Sequence, residues 1–95
     1  MIKKYLIKNS TNLASPTIGT KIHSFSDQFF AAASRILNDN DPVFKEGVFD
    51  TNGKWMDGWE TRRKRIPGND YIIIKLGKSS KIDNILIDTS FFNGN

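Results

Sequence analysis

The chain has 95 residues, room for one domain, and its 38% hydrophobic and 12% aromatic content is that of a globular protein. It has no cysteine and a single histidine, His23, so this chain alone builds no disulfide framework, no thiolate nucleophile and no multi-histidine metal site. A total of 14 Lys and Arg against 10 Asp and Glu leaves a net charge of +4, which favours anionic partners, and no apolar run approaches the roughly 18 residues of a membrane span.

The opening MIKKYLIKNS carries lysines, but the apolar stretch behind them is too short for a signal peptide, so a cytoplasmic location is expected. Tyr5, Leu6 and Ile7 form a short β-like run, and Pro16 and Gly19 punctuate the turns that follow. Lys21 to Phe25 alternates as a strand does. Ser24 with Asp27 three residues on reads as a capping box, and Phe29, Phe30, Ala33, Ile36 and Leu37 recur at helical spacing. This pattern predicts one short helix near residues 26–37, with Asp27 favouring the helix dipole. Asn38 to Pro42 is a loop, residues 43–60 hold short aromatic-rich pieces, and Asp57-Gly58 suits a tight turn. Ile66-Pro67-Gly68-Asn69 marks another turn, and Asp70 is read as closing it.

Tyr71 to Leu76 is rich in β-branched residues, and its near-continuous apolar character predicts a strand buried on both faces. Gly77 to Lys81 then joins it to a second strand, Ile82 to Ile87, as an antiparallel hairpin. A lone hairpin is marginal in water, so partner strands are required. About five or six candidate strands fall short of the eight of a jelly roll. Phe29, Phe30, Phe44, Phe49, Tyr71, Phe91 and Phe92 are read as core packing. The end, Phe91 to Asn95, sets two aromatics directly before a polar stop, which suggests a chain cut short.

The chemistry is densest in KWMDGWETRRKRIPG, Lys54 to Gly68. Arginine presents a planar donor fork that matches a carboxylate, and Trp faces can wall a small ligand. Asp57 and Glu60 can orient amino groups or relay protons. The alternative is that Trp55 and Trp59 are core and the arginines a solvated strand face. A nucleic-acid patch is a third reading of RRKR. Four adjacent side chains on a strand alternate in direction, however, and no further basic stripe exists, so no nucleic-acid partner is expected. No GxGxxG or P-loop is present.

GKWMDGWETRRKRIPG followed by DYIIIKLG resembles the signature of the allantoicase (allantoate amidinohydrolase) family. NLAS, KIHSFSDQFFA and PVFKEGVF upstream, and IDTSFFNGN downstream, extend the likeness from about Asn12 to Asn95, in order. The resemblance implies hydrolysis of allantoate to ureidoglycolate and urea, in purine breakdown through allantoin. It implies a longer, homo-oligomeric enzyme built of two β-sandwich modules of jelly-roll type, similar to galactose-binding domains.

The expected fold class is therefore mainly β, an incomplete antiparallel β-sandwich. Residues 1–11 would be an N-terminal extension and residues 12–95 a partial first module, inactive by itself. Allantoate, with one carboxylate and two ureido groups, suits Trp59, Arg62, Arg63, Arg65 and Asp88 as binding residues. His23, Asp57 and Glu60 are the candidates for catalysis. No cofactor, metal or membrane partner is expected. The alternative function is a non-catalytic ligand- or sugar-binding β-sandwich module.

Overall fold

The computed structural model describes residues 10–92. The run Tyr5 to Ile7 and the last three residues of the polar end lie outside them. Strand β1 is Lys21–Phe25, β2 Phe49–Asp50, β3 Gly53–Lys54 and β4 Ile72–Lys75. They form two antiparallel two-stranded sheets, β1 with β4 and β2 with β3. Among the described residues the remaining helical structure is two 3-10 turns, Pro16–Ile18 and Ala33–Leu37. The chain is thus mainly β and antiparallel, as its composition of short β-branched and aromatic pieces leads one to expect.

The β1–β4 sheet joins segments far apart in sequence. Lys21 faces Lys75, Ile22 faces Ile74, Ser24 faces Ile73 and Phe25 faces Ile72. The register shifts between Ile22 and Ser24, which makes His23 the extra residue of a β-bulge. Beyond the ladder the pairing is prolonged by polar groups. The Ser26 N–H donates to the Tyr71 carbonyl (3.0 Å), and the Ser26 hydroxyl accepts from the Tyr71 N–H (3.0 Å) and donates to Asp70 (2.8 Å).

At the other end, Thr20 Oγ1 donates to the Leu13 carbonyl (2.5 Å) and accepts from the Gly77 N–H (2.9 Å). Gly77 is required there, because a Cβ would sit 1.9 Å from the Ile18 carbonyl oxygen. Ser15 caps the first 3-10 turn through Thr17 N–H (3.1 Å), and its hydroxyl donates to Asp39 (2.5 Å).

The helix expected near residues 26–37 contracts to the five-residue 3-10 turn Ala33–Leu37. The groups a longer helix needs are committed elsewhere. Phe30 and Ala31 donate their N–H groups to the Glu60 carbonyl (3.3 and 3.1 Å), and Glu60 returns an N–H to Ala31 (3.2 Å), forming an isolated bridge. Ser24 lies in β1, so no capping box forms, and Gln28 Oε1 accepts from the Ala33 N–H (3.0 Å).

The expected hairpin is also rearranged. The strand read at Tyr71 to Leu76 exists as β4, but its partner is β1, and residues 78–89 join no ladder. β4 alternates between half-buried and exposed positions, with Ile73 50% exposed, so it is not covered on both faces. The tight turn falls at Thr51 and Asn52, between β2 and β3, and not at Asp57-Gly58. Among the described residues the buried apolar side chains are Ala31, Ala33, Leu37 and Met56. Phe29, Phe44, Phe49, Tyr71 and Phe91, expected in the core, are exposed in this structure, Phe49 most of all.

Candidate functional site

An open groove of about 590 Å³ lies where the loop after β1 meets the basic run Arg62 to Arg65. Ser26, Asp27 and Phe30 form one wall. Arg62, Arg63, Lys64, Arg65 and Ile66 form the other, and Asp70 closes the end next to β4. All four basic residues line one groove because residues 61–65 form no strand. The alternation expected of an extended basic run does not apply.

Two of the cations are paired. Arg62 donates to Asp27 Oδ1 from Nη2 (2.7 Å) and Nε (3.1 Å), and its backbone N–H donates to Oδ2 (2.7 Å). These bonds hold the Asp27 carboxyl below its ordinary pKa. The Arg62 backbone N–H contributes most, then the Arg62 guanidinium, against a weaker opposing effect of desolvation. Lys64 Nζ lies 3.7 Å from Asp70, which also accepts from Ser26 and more weakly from Thr61 (3.4 Å). Among the described residues neither Arg63 nor Arg65 has an ion-pair partner. Two cations remain over for an incoming anion, and the side chains of Phe30 and Ile66 add apolar surface beside them.

Of the residues singled out by sequence, Arg62, Arg63 and Arg65 line this groove, and the other five do not. His23 is exposed in the β1 bulge, its Nδ1 3.4 Å from Ser24 Oγ. Asp57 accepts from the Val43 N–H (2.9 Å) and ties down the 43–44 segment. Glu60 contributes its backbone to the bridge with Ala31. Trp59 does not line the groove; its Nε1 donates to the carbonyl of the lining residue Asp27 (2.6 Å). Asp88 is exposed and accepts from the N–H (2.9 Å) and hydroxyl (2.5 Å) of Ser90.

Ser26, Asp27, Phe30 and Asp70 complete the groove and were not assigned to it by sequence reasoning. Local pattern reads Asp27 as a helix end and Asp70 as part of a turn. Their partners lie 35 and 44 positions away, beyond any local pattern. The one available signal was the charge of RRKR, which calls for carboxylates elsewhere in the chain. Among the described residues no cluster of three His, Asp or Glu suits a metal ion, and no helix is long and apolar enough to cross a membrane.

The comparisons with known proteins agree on one family. The family model for the allantoicase repeat matches residues 11–95. A probable allantoicase of Pseudomonas paraeruginosa is 54% identical over 84 residues, 88% of this chain and 25% of that protein. A probable allantoicase of Acinetobacter baumannii is 53% identical over 90 residues, 95% of this chain and 27% of that protein. The crystal structure of Saccharomyces cerevisiae allantoicase superposes with a TM-score of 0.58 at 31% identity, over 79% of this chain and 21% of that one. The chain therefore spans about a quarter of the length of the curated relatives it matches. A repeat model that covers all but the first ten residues, and curated relatives more than 50% identical over most of the chain, place this chain in the allantoicase family.

Proposed function

We propose that this chain contributes the carboxylate-binding part of an allantoicase-type hydrolase, which converts allantoate and water to ureidoglycolate and urea in purine catabolism. The observation that carries the reading is the pair Arg63 and Arg65, two cations in one groove without carboxylate partners among the described residues. A guanidinium matches a carboxylate with two parallel hydrogen bonds, which fits the acid group of allantoate. Asp70, held at the groove's end by Ser26, is an acceptor for ureido N–H groups. Phe30 and Ile66 cover the carbon skeleton between the two ends. On this reading the partner is a small molecule and not nucleic acid, and the working enzyme is a cytoplasmic homo-oligomer.

The test is a chimera. The 84 matched residues of the Pseudomonas paraeruginosa relative are replaced by those of this chain, and urea release from allantoate is followed. Release above a heat-killed control is expected; a folded chimera that releases none overturns the reading. Within the chimera, Arg63→Ala is expected to raise KM on the order of tenfold, the size of one lost charge-assisted hydrogen bond. Lys78→Ala, at an exposed position outside the groove, is expected to leave KM unchanged. Saturable sugar binding without urea release favours the binding-module alternative.

A further inference from the structure

Arg62 lines the groove, yet its backbone N–H and the Nε–Nη2 edge of its guanidinium are already committed. Asp27 receives Nε, Nη2 and the backbone N–H of Arg62, while the Asp27 carbonyl receives the Trp59 indole N–H (2.6 Å). One aspartate thus holds residues 59–62 at three points: an indole, the main chain and a guanidinium. The guanidinium is further seated over the Phe29 ring, 5.2 Å from its centroid. Phe29 meets Phe30 edge to face, with centroids 5.0 Å apart, and Phe30 is a wall of the groove. The next residue along the chain is Arg63.

We propose that Asp27 and Arg62 act as one clamp, with Asp27 a positioning residue that fixes how Arg63 and Arg65 enter the groove. Arg62 is then part of the frame and not a ligand of the substrate. The proposal rests on reading the groove as a carboxylate site. Fixing the main chain at residue 62 means less freedom is lost when the following arginines bind, which is the benefit of preorganisation.

Charge and position predict opposite outcomes here, which makes the idea easy to break. Asp27 is a negative charge in a site for anions. If charge alone mattered, Asp27→Asn would make the groove more positive and tighten binding. It would also free the Arg62 fork for the substrate. The clamp predicts weaker binding instead, because the direction of the basic run is lost.

The experiment uses the allantoicase chimera for kinetics and the 95-residue chain for a substrate-free readout. Asp27→Asn is expected to raise KM on the order of tenfold with kcat nearly kept, as loss of binding common to ground and transition states does. Arg62→Ala is expected to match it, and the double variant to be no worse than either single, since coupled partners are not additive. An unchanged or lower KM in Asp27→Asn, or additive losses in the double variant, overturns the proposal.

Arg62→Gln, whose side-chain amide can still donate to Asp27 where Arg62→Ala cannot, covers the case in which Asp27→Asn does not fold. A KM rise as large as that of Arg63→Ala makes Arg62 a ligand and overturns the clamp; a clearly smaller rise supports it. In the 95-residue chain, the Arg62 Nε–H and Trp59 indole N–H signals in nitrogen-15 NMR are expected to exchange slowly with water and to lose that protection together in Asp27→Asn. Signals that respond independently count against the clamp even if the chimera proves inactive, which separates its failure from failure of the allantoicase reading.

Discussion

Ile72, Ile73 and Ile74 sit in β4 and pair with β1, whereas Ile82, Ile85 and Ile87 belong to a stretch that joins no ladder, with Ile85 79% and Ile87 78% exposed. The two stretches have similar residue types, and β-branched residues favour a pleated, half-buried surface in both. They differ in anchorage. β4 is held at one end by the Ser26–Asp70–Tyr71 hydrogen bonds and at the other by Gly77 docked on Ile18 and Thr20. Among the described residues no hydrogen bond links 78–87 to anything else. Propensity makes a segment able to be a strand; a partner and fixed ends make it one.

This contrast can be attacked at its strongest point first. Gly77→Ala places a methyl group against the Ile18 carbonyl, a backbone atom that cannot swing aside. A stability loss of about 3 kcal/mol or more is expected in urea unfolding of the chain. An unchanged midpoint would mean that β4 is not held from that end.

A smaller effect separates the two stretches directly. Ile74→Ser, at a half-buried position opposite Ile22, is expected to cost about 1–2 kcal/mol, and Ile85→Ser to stay within about 0.5 kcal/mol. Ile85→Ser should instead reduce self-association of the chain in sedimentation, because it removes apolar surface from an exposed patch. Equal stability losses would show that residues 82–87 are packed.

The smallest effect is electrostatic. The Asp27 carboxyl is held below its ordinary value, so the folded state favours its ionised form. Its contribution is present at and above the ordinary aspartate value and is lost as pH falls through the lower, folded one. An acid titration of the Trp59 indole signal should therefore show its transition below the usual aspartate range. A transition within or above that range contradicts the Arg62 contacts.

Some of this was legible in the residues themselves. Lys21 to Phe25 and Tyr71 to Leu76 announce strands by alternation and β-branching, and the run RRKR announces by charge the basic wall of the groove. What stayed hidden was non-local. Nothing in Tyr71 to Leu76 says that its neighbour is β1 and not the adjacent Ile82 to Ile87. The helix read at 26–37 followed a true apolar period, but Glu60 takes the peptide groups of Phe30 and Ala31 first. The division of the basic run into framed Arg62 and unpaired Arg63 and Arg65 depends on Asp27, 35 positions away.

The β1–β4 pairing has a consequence for how the site comes into being. Every groove residue, from Ser26 to Asp70, lies on the long loop that this pairing closes, and Ser26 and Asp70 meet at its mouth across 44 positions. Closing a loop of that length loses chain entropy before any contact rewards it, and folds dominated by such contacts form slowly. During synthesis β4 must emerge from the ribosome before β1 has its mate. The arginines are thus made before the strand that closes their loop, and the Ser26–Asp70 contact at the groove's end must wait for it.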